Sequence, residues 1–357
     1  MNEPEPLRPT VLPAAVPVRS MVPLLVLFGS LYFVQGTIEP TACLPMQPIQ
    51  SQLRGWGLSV GQVGHFFGII AIAWSIKPLF GLVSDLVPIF GQRRRPYLIL
   101  SIALTAATFF AVAALWGKAP TGTGWLEGSF RYLADLNSDQ PAIGRIGWLL
   151  LVAGIGIATT DVVIDALGVE TGQPLRITGQ IQAVQWGALS VAGLIAGSLG
   201  GLIATHHWQR PMFLGCGCLA LMSLGVVLVI VPEPRRESAQ RPANPLANLR
   251  SAWRELLAGR KIAVLLAVAA FMFLWNFNPF SSSVMQDYLT KELHFSELFY
   301  GHLISIQAAA QAVACLAYFW LCRRVPLGWL VHGCIAGGVV CTLAFWIVRD
   351  PPTAIVA

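Results

Sequence analysis

Apolar runs long enough to cross a lipid bilayer are the feature that most constrains how this chain folds. A helix needs about twenty mainly apolar residues to cross the hydrocarbon core. Nine runs of this kind occur, at 20–38, 61–84, 97–117, 146–168, 181–204, 211–231, 262–285, 303–322 and 325–348. Only 11% of the 357 residues are charged, whereas an ordinary soluble domain has about 25%. The sequence therefore predicts an all-α integral membrane protein.

A polar connection rich in proline and arginine divides these runs into six and three. We expect a disordered cytoplasmic tail at 1–19, an N-terminal six-helix bundle at 20–231, a cytoplasmic linker at 232–260 and a partial C-terminal bundle of about three helices at 261–357. Transporters built from two six-helix halves have such a connection and hold substrate between the halves. The C-terminal helices of this major-facilitator-type arrangement are expected to be missing, through either a fragmentary sequence or a shortened gene product.

The distribution of basic residues predicts the orientation in the membrane and argues against nucleic acid as a partner. With a cytoplasmic N-terminus, about two thirds of the lysines and arginines fall on the cytoplasmic side of a cell (inner) membrane, as the positive-inside rule requires. The net charge of +6 is thus a topology signal, and no basic cluster is accompanied by the stacking aromatics of a nucleic-acid-binding domain. Nucleophile, phosphate-loop and metal-ligand motifs are not found, which argues against an enzyme, a cofactor, a metal site or an ATP-driven pump.

The turn between the second and third runs carries charges that predict a gate. Gly81 and Asp85 are four residues apart on one helix face, so a neighbouring helix can approach closely beside an acid. Asp85 can then pair with an arginine or cap a helix of the facing bundle, and Arg93, Arg94 and Arg95 follow it directly. In the alternative interpretation, the three arginines only determine topology.

Two aspartates in the fourth run predict proton coupling. Asp161 and Asp165 have the i,i+4 spacing that places both carboxylates on one helix face. Like charges in a low dielectric repel, so one of them is expected to hold a proton unless a cation such as Lys77 or Arg176 neutralises it. Glu170, near the end of the same run, is a further candidate for the proton route. A static ion-pair network with the two cations is the alternative, and both can hold together.

Amides and aromatic rings inside the first, fifth and seventh runs predict a site for a planar ligand with rings. Amides supply hydrogen bonds and aromatic side chains supply flat surfaces, while a lysine offers a positive charge. The candidate substrate-binding residues are Gln35, Glu39, Lys77, Gln182, Gln185, Trp186, Trp275, Asn276 and Asn278. Any single glutamine is more often a hydrogen-bonding contact between helices, so the cluster in the fifth run is more informative than any of its members. In the first and seventh runs, polar residues beside a proline interrupt the helix and expose backbone groups that need a cavity or a ligand.

These motifs, in this order, resemble those of the folate-biopterin transporter family of the major facilitator superfamily. The resemblance extends from about Tyr32 to Trp329 and rests on the segments 76–85 with 93–97, 161–167 with 169–170, 180–182 with 186–187, and 273–276 with 289–293. It implies about twelve helices in two halves, a pterin- or folate-like substrate, and transport by proton coupling or exchange. It also implies that Asp85 and the arginines form the superfamily's gating loop.

The leading hypothesis is therefore a secondary active transporter that moves a pterin-like or related small organic anion across the membrane by alternating access. Its partners would be this small molecule, the lipid bilayer and protons. A carrier of a different metabolite on the same scaffold is one alternative. A membrane receptor or scaffold that does not transport, or a truncated remnant, is the other.

Overall fold

The computed structural model describes residues 18–116, 143–175, 177–230, 260–276, 282–321, 325 and 327–356, and these ranges contain helices and turns but no β-strand. The helices are Val18–Ile38 (α1), Met46–Gly55 (α2), Val60–Ser75 (α3), Lys77–Leu86 (α4), Arg95–Leu115 (α5), Ile143–Leu175 (α6), Thr178–His206 (α7), Gln209–Ile230 (α8), Arg260–Asn276 (α9), Ser282–Asp287 (α10), Glu297–Leu321 (α11), Leu327–Ala344 (α12) and Pro351–Val356 (α13). A π-helical turn, Tyr288–Glu292, joins the end of α10.

The predicted all-α membrane architecture is confirmed. Within the described residues, six helical segments are long and apolar enough to span a membrane: Val60–Leu86, Arg95–Leu115, Ile143–Leu175, Thr178–His206, Gln209–Ile230 and Glu297–Ala317. Three shorter apolar helical stretches, Val22–Ile38, Ile262–Leu274 and Gly328–Ala344, coincide with the other three predicted runs. The chain is therefore a multi-pass membrane protein.

Local structure departs from the predicted runs at a few places. The second run is split into α3 and α4 at Ile76, because Pro78 occupies the first turn of α4 and has no N–H to continue the hydrogen bonds of α3. Helix α2 was not predicted, since its ten residues are too few to span a bilayer and its sequence is mixed. The seventh predicted run, 262–285, contains α9 and the start of α10, with 277–281 between them outside the described residues.

Helix α1 and the five spanning segments between Val60 and Ile230 pack around one apolar core. Helix α5 lies against both α6 and α8, α1 lies against α7 and α8, and α3 and α4 lie on α6. Four phenylalanines are almost fully buried in this core: Phe28, Phe66, Phe109 and Phe213. The predicted tail and linker fall almost entirely outside the described residues, so those two domain boundaries stay predictions.

The part of the chain after the linker joins the first part mainly through α11, which packs along α7. A β-carbon added at Gly197 would lie 2.6 Å from the carbonyl oxygen of Gly301, and one at Gly201 would lie 2.8 Å from that of Glu297. Only glycine allows backbones this close. Helix α10 adds a second contact with the first part, against α3.

The helices define two ends of the molecule. The basic end comprises the turn at 87–94, the start of α5 and the last turns of α6. The seam end comprises α2, α10 and the first turns of α11. Because Gly197 and Gly201 lie in the second half of α7 and meet the beginning of α11, the close crossing of these helices lies toward the seam end.

Candidate functional site

Asp161 is the centre of a polar cluster inside the apolar core. Its residue is only 4% exposed, and its carboxylate forms an ion pair with the ammonium group of Lys77 at the start of α4. The side-chain amide of Gln35 on α1 also donates to the other carboxylate oxygen, at 2.7 Å. A buried carboxylate needs such partners because leaving it unpaired in a low dielectric is costly. Asp161 thus ties α1, α4 and α6 together.

Asp165 lies one turn further along α6 and faces the same neighbours. The hydroxyl of Tyr32 donates to its Oδ1, and the amide of Gln185 on α7 approaches the same oxygen at 3.4 Å. The predicted common face of the two aspartates is therefore present. Tyr32 was not predicted as a site residue, although its spacing of three residues from Gln35 on one helix face was a usable signal.

Trp74 connects the ion pair to a third buried acid. The Lys77 ammonium lies 4.4 Å from the centre of the Trp74 ring, a cation–π contact, and the indole N–H donates to Oε1 of Glu39 at 3.2 Å. Glu39 also accepts bonds from the backbone N–H and the hydroxyl of Thr41, at 3.0 and 2.7 Å. Trp74 was missed because a tryptophan in an apolar run reads as packing, although it stands three residues before Lys77.

We call this set the polar cluster: Tyr32, Gln35, Glu39, Trp74, Lys77, Asp161, Asp165 and Gln185. It contains three carboxylates and one ammonium group. Full ionisation would leave an excess of negative charge inside a low-dielectric bundle, so the cluster is chemically suited to bind a proton or a cation. Groups of three or more His, Cys, Asp or Glu that could hold a metal ion do not occur among the described residues.

The other predicted substrate contacts lie elsewhere. Gln182 is exposed and Trp186 is 49% exposed, so both are on a different face of α7 from the buried Gln185. Trp275 and Asn276 are in the last turn of α9, and Asn278 lies outside the described residues. Arg176, expected as a second cation for the aspartates, also falls outside them.

The predicted gating residues form an ion-pair cluster at the basic end. Asp85 accepts bonds from Arg93 at 2.8 Å and Arg94 at 2.7 Å. Glu170 on α6 is paired with the same two arginines, at 3.3 and 2.7 Å. Arg94 is only 4% exposed and also donates to the hydroxyl of Ser84 at 2.8 Å. This arrangement joins α4, the following turn and α6.

Gly81 and Arg95, the other two predicted gating residues, lie near this cluster. A β-carbon on Gly81 would be 3.0 Å from Cγ1 of Val162, so the glycine lets α4 approach α6, a helix of the same bundle. Arg95 donates to the carbonyl oxygen of Leu228 on α8, at 2.9 Å. Glu170, predicted to belong to the proton route, is placed with the gating arginines instead of beside Asp161.

With this geometry established, comparison with known proteins identifies the family. The sequence profile of the BT1 family matches residues 49–123 and 124–344, well over half of the chain. The chain belongs to the BT1 family. The matched region includes Lys77, Asp161, Asp165 and the basic-end cluster, whereas Glu39 precedes it.

Named relatives agree with this BT1 assignment. The chain is 30% identical over 306 residues to a protein of Synechocystis sp. called folate-biopterin transporter, which covers 84% of this chain and 56% of the relative. Two Arabidopsis thaliana proteins, called probable folate-biopterin transporters 4 and 7, are 30% and 27% identical over 52% and 47% of this chain, each across 33% of the relative. The chain thus spans about half the length, or less, of the curated relatives it matches.

Proposed function

We propose that this BT1 family chain takes part in secondary active transport of a pterin- or folate-like organic anion, by alternating access in a major-facilitator-type fold. The observation that carries the proposal is the Lys77–Asp161 ion pair inside a bundle of membrane-spanning helices. Charged residues at such a position are costly and are typical of substrate or ion pathways. The names of the relatives support the substrate class. The excess of basic residues supports a cytoplasmic N-terminus and basic end in the cell (inner) membrane.

Lys77 is the proposed recognition point for the substrate's negative charge. It is the cation of the polar cluster, and its side chain keeps 27% of its surface exposed while Asp161 keeps only 5%. An entering carboxylate would compete with Asp161 for the ammonium group. Trp74, Tyr32 and the amides of Gln35 and Gln185 lie around this point and offer flat surfaces and hydrogen bonds for a heteroaromatic ring. The other predicted contacts, in α7 and near the end of α9, lie outside this group of residues and stay predictions.

Competition at Lys77 gives a physical route to coupling. When a substrate anion takes the ammonium group, Asp161 loses the charge that compensates it and becomes a proton acceptor. Asp165, one turn away, shares the repulsion and provides a second position for the proton. The ion pair re-forms when the substrate leaves and the proton is released. A static ion pair, which only fixes α4 against α6, is the alternative that experiments must exclude.

Ligand binding is tested by thermal stabilisation of the purified chain with folic acid, biopterin and an unrelated dicarboxylate. We expect stabilisation by a pterin compound, its loss in Lys77→Met, and its retention in Lys291→Met, since Lys291 is a half-exposed lysine on the π-helical turn. Stabilisation by the dicarboxylate and by no pterin would instead support a carrier of another metabolite. Stabilisation by none of the compounds would remove the transport proposal for this chain.

Proton coupling is tested in liposomes with and without an imposed pH gradient. We expect Asp161→Asn and Asp165→Asn to lose accumulation driven by the gradient, while downhill exchange of substrate survives, because exchange does not return the carrier through its empty state. Glu292→Gln, a change in an exposed acid, is the matched control. If both aspartate variants still concentrate substrate as the parent does, the two aspartates are structural.

A further inference from the structure

Glu297, the first residue of α11, joins two separate regions of the chain. The side-chain amide of Gln47 on α2 donates to the Glu297 backbone carbonyl at 2.6 Å and to its carboxylate at 3.1 Å. The amide of Gln286 on α10 donates to the same carboxylate oxygen at 3.1 Å. Gln47 and Gln286 are 3% and 2% exposed. A half-buried carboxylate between two buried amides therefore holds α2 against α10 and α11.

An ion pair lies beside these hydrogen bonds and links the same elements. Nε of Arg54, at the end of α2, is 3.0 Å from Oδ1 of Asp287, at the end of α10, and each side chain is 19% exposed. Partly exposed pairs of this kind are weak and can exchange with water at little cost. The contacts at the seam end thus combine two buried amides, Gln47 and Gln286, with an ion pair that water can reach.

Below this polar layer, α7 and α11 touch through small residues. The hydroxyl of Ser305 donates to the carbonyl oxygen of Leu194 at 2.7 Å and accepts from the backbone N–H of Ser198 at 2.8 Å. Ser198 also bonds His302 at 2.9 Å. With Gly197 and Gly301 these residues form a close crossing without large interlocking side chains, a surface on which helices can separate and meet again.

We propose that Glu297 is a positioning residue of the transport cycle: held by Gln47 and Gln286, it keeps the seam end closed, and the seam opens when these bonds exchange for water. Amide–carboxylate bonds suit this task because both partners can be hydrated after separation. In the predicted orientation the seam end faces away from the cytoplasm, so the structure is closed on the outer side. The proposal rests on the proposed function only in assuming that the molecule opens.

The test uses Ser198→Cys as a reporter at the crossing of α7 and α11. The purified protein is treated with a maleimide, and mass spectrometry measures the labelling rate of the peptide that contains residue 198. We expect Glu297→Ala to raise the labelling rate at least about tenfold, because loss of even one of its two charge-assisted hydrogen bonds changes the equilibrium by about that factor. Gln47→Ala should act in the same direction. Glu292→Ala, which changes an exposed acid five residues earlier, should leave the rate as in the parent.

Exchanging the acid and the amide between positions 297 and 47 distinguishes a gate from a merely structural contact. Glu297→Gln should raise labelling, and adding Gln47→Glu should lower it again in part, because an acid and an amide face each other once more while the bond from residue 47 to the Glu297 carbonyl stays lost. Unchanged labelling in Glu297→Ala, an equal rise in Glu292→Ala, or a rise that the swap does not reverse would overturn the proposal. Labelling needs no substrate, so a failed pterin-binding test would leave this result interpretable by itself.

Discussion

The two ends of the bundle are held by contacts of different kinds. At the basic end, Asp85, Arg93, Arg94 and Glu170 all belong to the first part of the chain, within about ninety residues of one another along the sequence and on adjoining elements. Their ion pairs brace α4 against α6 inside one bundle. Rigid movement of the two parts relative to each other would leave this brace intact.

At the seam end, by contrast, the contacts cross from one part of the chain to the other. Gln47 and Arg54 precede the linker, whereas Glu297 and Asp287 follow it. Any relative movement of the two parts must break them. The conspicuous charged motif thus stabilises one bundle, whereas less conspicuous polar residues join the two parts of the chain.

The largest effect is expected from Gly197→Leu at the seam. Because even a β-carbon there would lie 2.6 Å from the Gly301 carbonyl oxygen, α11 must move away from α7, at a cost of about 3 kcal/mol. We expect a lower thermal midpoint and a longer α7–α11 distance measured with spin labels. Gly187→Leu on the same helix is the control, since nothing lies within 4 Å of its added β-carbon. Equal effects of the two changes would contradict the close crossing.

At the basic end, Arg94→Met should destabilise the protein by about 2 kcal/mol. The change removes a buried guanidinium group together with its charge-assisted hydrogen bonds to Asp85 and Glu170. Thermal unfolding measures the change. Arg95→Met, whose described bond goes to the carbonyl oxygen of Leu228, should cost less. The sharper expectation is that Arg94→Met leaves labelling of Ser198→Cys unchanged; a rise like that of Glu297→Ala would show that the brace and the seam are not independent.

Neutralising the acid of the same cluster tests the gating role that the sequence analysis predicted for it. Asp85→Asn keeps the shape of the side chain and removes its charge, so we expect uptake to fall about tenfold while expression and membrane insertion stay near normal. Uptake in liposomes and the yield of inserted protein provide the two measurements. Uptake at the parent's rate would reduce the arginines to determinants of topology.

The smallest effect is expected from the Arg54–Asp287 pair. A double-mutant cycle of Arg54→Met and Asp287→Asn should give a coupling energy of about 0.5 kcal/mol, the value typical of a partly exposed pair. Thermal unfolding at low and high salt would measure it, with weaker coupling at high salt. A coupling energy that salt does not change would show that this pair is screened from solvent and contributes to the seam as much as Glu297 does.

Much of the fold could be predicted, because the bilayer leaves few choices. Nine apolar runs predicted nine apolar helical stretches within the described residues, and the spacing of Asp161 and Asp165 predicted their common face. Helix α2 could not be predicted in the same way, since its ten residues are of mixed composition and do not form the long apolar run by which a spanning helix is recognised. The buried Gln47 of this helix forms the hydrogen bonds to Glu297 at the seam end.

The site was only partly predictable, because a side chain's partner depends on which helices become neighbours. Gln35 and Gln185 were predicted as substrate contacts only, and the structure places both on the aspartates. Lys77 was predicted both as a substrate contact and as a possible cation for the aspartates, and it pairs with Asp161. Tyr32 and Trp74 look like core residues in their own helices until α1, α3 and α6 are brought together. Glu170 lies five residues beyond Asp165, but its position at the end of α6 brings it to the arginines.

The amino-acid sequence was enough to identify the class of the protein and the positions of its charges along the helices, because hydrophobic length and the cost of charge in a bilayer act locally on each segment. Which charges meet depends on how the helices pack against one another. Lys77 with Asp161, and Glu297 with Gln47 250 residues away, are pairs that no spacing rule links. They form because packing of the glycine-lined helices brings these residues together, and burial then leaves each polar group dependent on the partner it finds.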